Sequence, residues 1–264
     1  MLRTVFEHKH LCLMLLRNDV TAKFKHSLLG FFWIFIPPVC VLLIYVYMFS
    51  VIFMLRWPER DFSSRWGFGL IIYMGITIYS VLSDSIMSSI GILTSRSAML
   101  KRVPFPYELF PISLACSNWM ISGIVLWILF FLSLLTGGRG GIEVVWYFPL
   151  CYIPLFFLTA GCCWIVSALG IFIRDLGNIL GILILLLFFS TPVFYSINMV
   201  PEKYRFLIEL NPLSSLLANM RGILLQNRLP EWRDILLTWV IALVVFAVGY
   251  AFFMCLRKKF ADVI

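Results

Sequence analysis

The chain has 264 residues, 62% of them hydrophobic and 13% charged, with a mean hydropathy of +0.98. Ordinary globular domains carry roughly twice that charged fraction, so a soluble fold is excluded and residues 1–264 read as one integral membrane domain. The net charge of +8 then concerns membrane topology and anionic headgroups, and no nucleic acid partner is expected.

Charges recur through the first 25 residues with no long apolar core between them, so no cleavable signal is predicted. Leu2, Phe6, Leu13, Leu16, Val20 and Phe24 share a narrow arc at about 100° per residue, with Arg3, Glu7, His8, Arg17, Asp19 and Lys25 away from it. That predicts an amphipathic helix over 1–27 lying in the headgroup region, with Leu11 and Leu15 on its other side.

A helix needs about 20 apolar residues to cross a bilayer. Six stretches meet or approach that length: 31–55, 67–93, 107–136, 146–173, 178–195 and 235–256. Pro37-Pro38 should kink the first span or begin it afresh. The second is not uniformly apolar, because Tyr73, Thr77, Ser80, Asp84, Ser88 and Gly91 fall on one helical face. Asp84 is the one acidic side chain deep in a span, which marks a polar pathway wall or a hydrogen-bonded packing site. The third and fourth spans are joined by a Gly-Gly-Arg-Gly-Gly turn over 137–141, and the fourth carries a small-residue row, Thr159, Cys163 and Ser167, suited to close helix packing. The Arg174-Asp175 turn leads into the fifth span. Residues 200–233 hold two short helical patterns, opened by Pro201 and by Asn211-Pro212, the latter as cap plus first-turn proline. Leu213, Leu216, Leu217, Met220 and Leu224 form an apolar stripe on the second. Both are too short to cross and should dip into the outer leaflet or lie on it.

The predicted fold is therefore all-α: six transmembrane helices, an N-terminal interface helix, and two short re-entrant or periplasmic helices between spans five and six. Six spans put both termini on one side, which holds twelve Lys/Arg and five acidic residues against nine and seven on the other. The positive-inside rule makes that side, with the 94–111 crossing, cytoplasmic. That crossing is short, basic and punctuated by Val103-Pro104 and Phe105-Pro106, which leaves room for a helical turn or two over 97–102. It reads either as a plain basic loop or as a small rigid helix offered to a soluble partner.

No G-x-x-x-x-G-K-S/T phosphate loop, H-E-x-x-H pair or Ser/His/Asp set occurs, so the chain is expected to be neither an ATPase nor another enzyme. The cysteines lack C-x-x-C or metal-ligand spacing and read as small apolar fillers. Aromatic residues make up 17% of the chain. Many suit interfacial belts. Trp33, Tyr45, Tyr47, Tyr73, Tyr79, Phe188, Phe189 and Tyr195 lie deeper or on polar faces, where spacing alone does not separate core packing from a sugar-stacking tunnel wall.

Leu29-Gly30, Trp33 and Pro37, then Leu100-Lys101-Arg102 with Phe105-Pro106 and Phe110-Pro111, then Phe172-Ile173-Arg174-Asp175, then Thr191-Pro192-Val193-Phe194-Tyr195 with Asn211-Pro212 follow one another in order. Together they resemble the membrane subunit of ABC-2-type polysaccharide exporters, over essentially the whole chain. Phe24, where that family often has Tyr, and Ile173, where a second aromatic is common, depart from its pattern. The resemblance implies a homodimer in the bacterial inner membrane, bound to two copies of a cytoplasmic ATPase subunit that carries the ATP and Mg, with no cofactor in this chain. Ser97, Met99, Leu100, Lys101 and Arg102 would be the coupling helix seated in that ATPase, and Arg174 and Asp175 a second contact. The cargo would be a polysaccharide, O-antigen first, on an undecaprenyl-pyrophosphate carrier. Trp33, Tyr45, Tyr47, Tyr73, Thr77, Ser80, Asp84, Phe188, Phe189 and Tyr195 would line its channel. Arg17, Lys23 and Lys25 are candidate pyrophosphate contacts by charge and by their place just before the first span. An ABC-2 exporter of a lipid or small drug-like molecule shares the same plan.

Overall fold

The computed structural model describes residues 9–22, 32, 35–53, 65–96, 106–135, 143–226 and 228–260, and these form helices and turns with no strand among them. Among the described residues, ten α-helices follow in order: α1 (Lys9–Ala22), α2 (Ile36–Tyr45), α3 (Arg65–Ser89), α4 (Ile92–Ser95), α5 (Leu109–Leu135), α6 (Val144–Phe172), α7 (Leu176–Ser190), α8 (Glu202–Glu209), α9 (Pro212–Arg221) and α10 (Trp232–Arg257). α2 and α9 each run on into a wider π-helical turn, Val46–Ile52 and Gly222–Gln226.

Among the described residues, four helices are long and apolar enough to cross a membrane: Trp66–Ser89, Leu109–Leu135, Val144–Phe172 and Trp232–Arg257. They correspond to the second, third, fourth and sixth expected spans. The first and fifth are represented by shorter apolar helices, Ile36–Phe49 and Leu176–Ser190. Pro37 and Pro38 occupy the first turn of α2, where a missing N–H costs nothing, so the prolines begin the helix rather than bend it. α7 ends at Ser190, five residues short of the expected boundary, because the chain turns extended at Thr191 ahead of Pro192. At 1.5 Å per residue, its 15 residues reach only about 22 Å.

α3 is the central helix and touches α2, α5, α6, α7 and α9. The most extensive helix pair is α6 with α10, and glycine makes it so. A Cβ on Gly161 would lie 2.5 Å from the Val245 carbonyl oxygen, and one on Gly249 would lie 2.2 Å from the Gly161 carbonyl oxygen. Backbone meets backbone there. The Thr159, Cys163 and Ser167 row on α6 is fully buried.

Two apolar clusters divide the bundle. One gathers Leu70, Ile71, Met74, Leu126, Leu129, Leu155 and the α9 stripe, whose Leu213, Leu216, Leu217, Met220 and Leu224 are all essentially inaccessible. Asn211 opens α9 as expected, its side chain accepting a bond from the Leu213 N–H at 3.0 Å. Pro201 sits one position earlier than expected, as the residue before α8 rather than its first member. The second cluster, at the other end, joins Ile92, Leu93, Leu109, Phe110, Trp164, Phe253 and Phe260 to Leu15 of α1.

α1 packs by the side away from its expected apolar arc: Leu15 is buried and Leu11 packs beside it, while of the arc's described members Leu13 is exposed and Leu16 and Val20 are half-buried. Both faces of this helix are apolar in part, and the face carrying Leu11 and Leu15 is the one that docks against α5. Leu2, Phe6 and Phe24 lie outside the described residues, as do the turn expected over 137–141 and the helical turns expected over 97–102.

Candidate functional site

Six aromatic rings, four of them candidates from sequence, form a chain across α2, α3 and α7. Tyr45 meets Tyr73 at 6.2 Å between ring centroids and Phe49 at 6.0 Å. Phe49 meets Phe194 at 5.9 Å, Phe194 meets Phe188 edge-on at 5.4 Å, and Phe188 meets Phe189 at 5.5 Å. Such contacts contribute about 0.5–1.5 kcal/mol each beyond area burial. They tie the two shorter apolar helices to each other and to α3. Tyr47 stands apart, exposed on the far side of its π-turn. Trp33 lies outside the described residues.

The polar face of α3 grades from covered to open along its length. Thr77 is buried and its hydroxyl donates to the Tyr73 carbonyl at 2.8 Å. Ser80 is half-buried and donates to the Thr77 carbonyl at 2.9 Å. Asp84 is exposed, accepting a bond from the Ser83 hydroxyl at 3.3 Å, and Ser88 and Gly91 are exposed beyond it. This face is the one the helical body leaves uncovered at the α1 end. It can offer hydroxyls and one carboxylate to a hydrated ligand.

Tyr79 marks where α3 holds α7. Its hydroxyl donates to the Ile184 carbonyl at 2.6 Å and its ring meets Phe188 at 4.9 Å. Tyr79→Phe removes only that hydroxyl. It is expected to cost about 0.6–1.7 kcal/mol, the range for hydrogen bonds between membrane helices, read as a lower thermal midpoint in detergent.

Tyr195 closes the aromatic series at the opposite end, its hydroxyl donating to the Phe189 carbonyl at 2.9 Å. It borders a cavity of about 680 Å³ shared by Ser214, Asn219, Arg228, Glu231 and Asp234. Of the remaining candidates, Arg174 and Asp175 are exposed in the turn between α6 and α7, and Arg17 is exposed on α1. Ser97, Met99, Leu100, Lys101, Arg102, Lys23 and Lys25 lie outside the described residues.

Three fastenings were missed from sequence. Asp19 on α1 is 9% exposed, paired with Arg96 and accepting a bond from Ser113 at 2.8 Å. Glu108 is 3% exposed and faces Arg257 at 3.4 Å, while its backbone oxygen accepts from the Trp164 indole at 3.0 Å. Arg221 is 6% exposed and donates to the Pro192 and Val193 carbonyls, both at 2.7 Å, and to Ile71 at 3.2 Å. A usable signal existed for two of them. Asp19 continues Leu11 and Leu15 at helical spacing, and Arg221 continues Leu213 and Leu217, so each charge extends a buried row.

Comparison with known proteins places this arrangement. The O-antigen export system permease protein RfbA of Myxococcus xanthus is 25% identical over 264 residues, covering 99% of this chain and 98% of that protein. Two O-antigen export system permease proteins RfbA of Klebsiella pneumoniae are each 24% identical over 258 residues, covering 96% of this chain and 95% of theirs. The pattern of the ABC-2 type transporter family matches residues 10–225, from α1 through the π-turn that closes α9. By that match the chain belongs to the ABC-2 type transporter family.

Proposed function

We propose that this chain is the channel-forming membrane subunit of an exporter that moves lipid-linked polysaccharide, O-antigen before others, across the bacterial inner membrane. The observation that carries this is the likeness, over nearly the full length of both chains, to permeases named for O-antigen export. ATP is hydrolysed on a separate subunit, two copies of which bind a homodimer of this chain through Ser97, Met99, Leu100, Lys101 and Arg102, with Arg174 and Asp175 as a second contact. Both termini are cytoplasmic. The apolar outer side of α7, where Ile182, Leu183, Leu186 and Phe189 are exposed, is available to a second copy.

In this reading the substrate enters beside α1, where Arg17, Lys23 and Lys25 meet the pyrophosphate. It then passes the hydroxyl-bearing face of α3. Aromatic faces suit sugar C–H surfaces, and hydroxyls suit sugar edges, so the wall from Asp84 through Tyr73 to Tyr195 offers both. α8 and α9 shape the outer exit.

Co-purification of this chain with an ATPase subunit, followed in wild type and in the double variant Leu100→Ala/Lys101→Glu, tests the docking assignment. The double variant should lose the ATPase and reduce surface polymer at least about tenfold, the scale of a 1–3 kcal/mol coupling loss. Full export by that variant would remove 97–102 from the coupling role. Deleting the gene should trap lipid-linked polymer inside the cell. A normal polymer coat on the deletion strain, with loss of a lipid or drug-efflux trait instead, would favour export of a small molecule.

A further inference from the structure

The cavity of about 680 Å³ lies between α9 and the first turns of α10, a volume in the range of small-ligand sites. Its enclosed side is the polar face of α9, opposite the leucine stripe. Ser214 there is 4% exposed and Asn219 is 8% exposed. Amphipathic helices ordinarily turn such a face to water. Ser89, Ser117 and Ser133, buried in other helices, each donate to the carbonyl three residues back. The Ser214 hydroxyl has no hydrogen-bond partner among the described residues, and it lines the cavity. A buried hydroxyl left unbonded is costly, so this one is placed for something that enters. The chain folds back to wall the cavity in, the Arg228 N–H donating to the Gly222 carbonyl at 2.9 Å.

Three arginines, Arg221, Arg228 and Arg233, and three carboxylates, Glu209, Glu231 and Asp234, line the same space. Arg221 is engaged by backbone carbonyls. None of the other five forms an ion pair among the described residues. An anion site would carry an excess of cations and a cation site an excess of carboxylates, whereas this balance suits a ligand with one charge of each sign. Arg228 and Arg233 are exposed at the rim, and Asp234 is half-buried. The cavity also sits at the level of lipid headgroups. α10 is one of the membrane-length helices, the cavity touches its first turns, and Trp232 beside it is 63% exposed, as aromatic residues at a bilayer boundary are. Leu237 lines the cavity and continues into an exposed apolar face with Val240 and Val244.

We infer that this cavity binds the phosphoethanolamine headgroup of a membrane phospholipid, with the ammonium inward, the phosphate at the rim and the acyl chains along Leu237, Val240 and Val244. A primary ammonium has three N–H donors and no acceptor, which matches the Asp234 carboxylate, the Ser214 hydroxyl oxygen and the Asn219 carbonyl oxygen. The phosphate diester is met by Arg228 and Arg233. A choline headgroup has no N–H to give and is held by aromatic cages, but Tyr195 is the one aromatic among the described lining residues. A glycerol headgroup brings the phosphate without the ammonium and leaves the carboxylates unmatched. The site stands whether the chain exports a polymer or a smaller molecule.

The test titrates the delipidated full chain in a maltoside detergent with short-chain phospholipids and reads the thermal midpoint. Dihexanoyl-phosphatidylethanolamine should raise it saturably. The dihexanoyl choline and glycerol lipids should need about ten times the concentration for the same rise. Asp234→Asn should weaken the ethanolamine lipid about tenfold and bring it level with the choline lipid, and Ser214→Ala should weaken it about threefold. Arg228→Gln/Arg233→Gln should instead weaken all three lipids alike, because each carries the phosphate. Glycerophosphoethanolamine, the same headgroup without chains, should bind at least about tenfold more weakly than the lipid. Equal potency of the two would overturn the lipid as the source of the headgroup. No rise with the ethanolamine lipid, equal rises with all three, or an unchanged preference in Asp234→Asn would overturn the proposal. So would a rise with maltohexaose and none with the ethanolamine lipid, which would make the cavity a sugar site.

Discussion

Arg221→Leu should yield little folded protein. The guanidinium is 6% exposed and serves three backbone oxygens at once, two on the Pro192–Val193 turn and one on α3. That turn is where the chain leaves α7, and no helical ladder satisfies it, so the arginine replaces the missing donors. Gly75 makes the approach feasible, since a Cβ there would come 2.9 Å from the Arg221 Nη2 and 3.2 Å from Val193. Leucine fills part of the volume and abandons the carbonyls. At about 1–3 kcal/mol for each buried acceptor left without a donor, the two turn carbonyls alone amount to roughly 2–6 kcal/mol. Whole domains are stable by about 5–15 kcal/mol, so the variant sits near its limit. Arg221→Lys keeps the charge but not the planar fork, and one ammonium cannot span all three oxygens. It should fall between the other two. Gel filtration in detergent and a thermal midpoint read the series, and a leucine variant that elutes and melts as wild type does would show that the arginine holds nothing.

This effect also explains what sequence could and could not convey. Long apolar runs specify their own helices, because a backbone in lipid must satisfy itself, and so the four long helices and the α9 stripe were readable from one-dimensional pattern. Local chemistry was readable too: Asn211 caps and Pro212 opens α9 as that dipeptide requires. The ends of α7 and the start of α2 were less so, since an apolar run continues through Thr191–Tyr195 and before Ile36 while proline interrupts the helix. Which face of α1 docks depended on partners far along the chain, Phe110 and Ser113 among them. The same is true of the aromatic candidates. Spacing could not tell a wall from a core, and the rings of Tyr45, Tyr73 and Phe188 are half-buried against one another's neighbours, at the boundary between the two.

The α6–α10 contact is the other place where one substitution should undo the bundle. Gly161→Val puts branched carbon where the Val245 carbonyl oxygen and the Phe246 Cα already stand, at 2.5 Å and 2.8 Å from the first added atom. Gly249→Val meets the Gly161 backbone from the other side, at 2.2 Å. Extra methylenes in a core usually cost about 1–3 kcal/mol because side chains rotate away. Here the obstacle is backbone, which has no rotamer to change, so relief requires the helices to separate along their whole contact. Lipid supplies no hydrophobic drive to hold them once packing is lost, since its tails are as apolar as the residues exposed. Gly161→Ala should already destabilise, and either valine variant should fail to give a monodisperse protein. Gly181 is the control, because a Cβ there meets nothing within 4 Å. Gly181→Ala should be neutral or gain about 0.5–1 kcal/mol from reduced backbone freedom in the unfolded chain. Thermal midpoints of the alanine pair separate close approach from a general intolerance of helical glycine replacement: a Gly161→Ala protein as stable as Gly181→Ala would mean that α6 and α10 do not touch backbone to backbone.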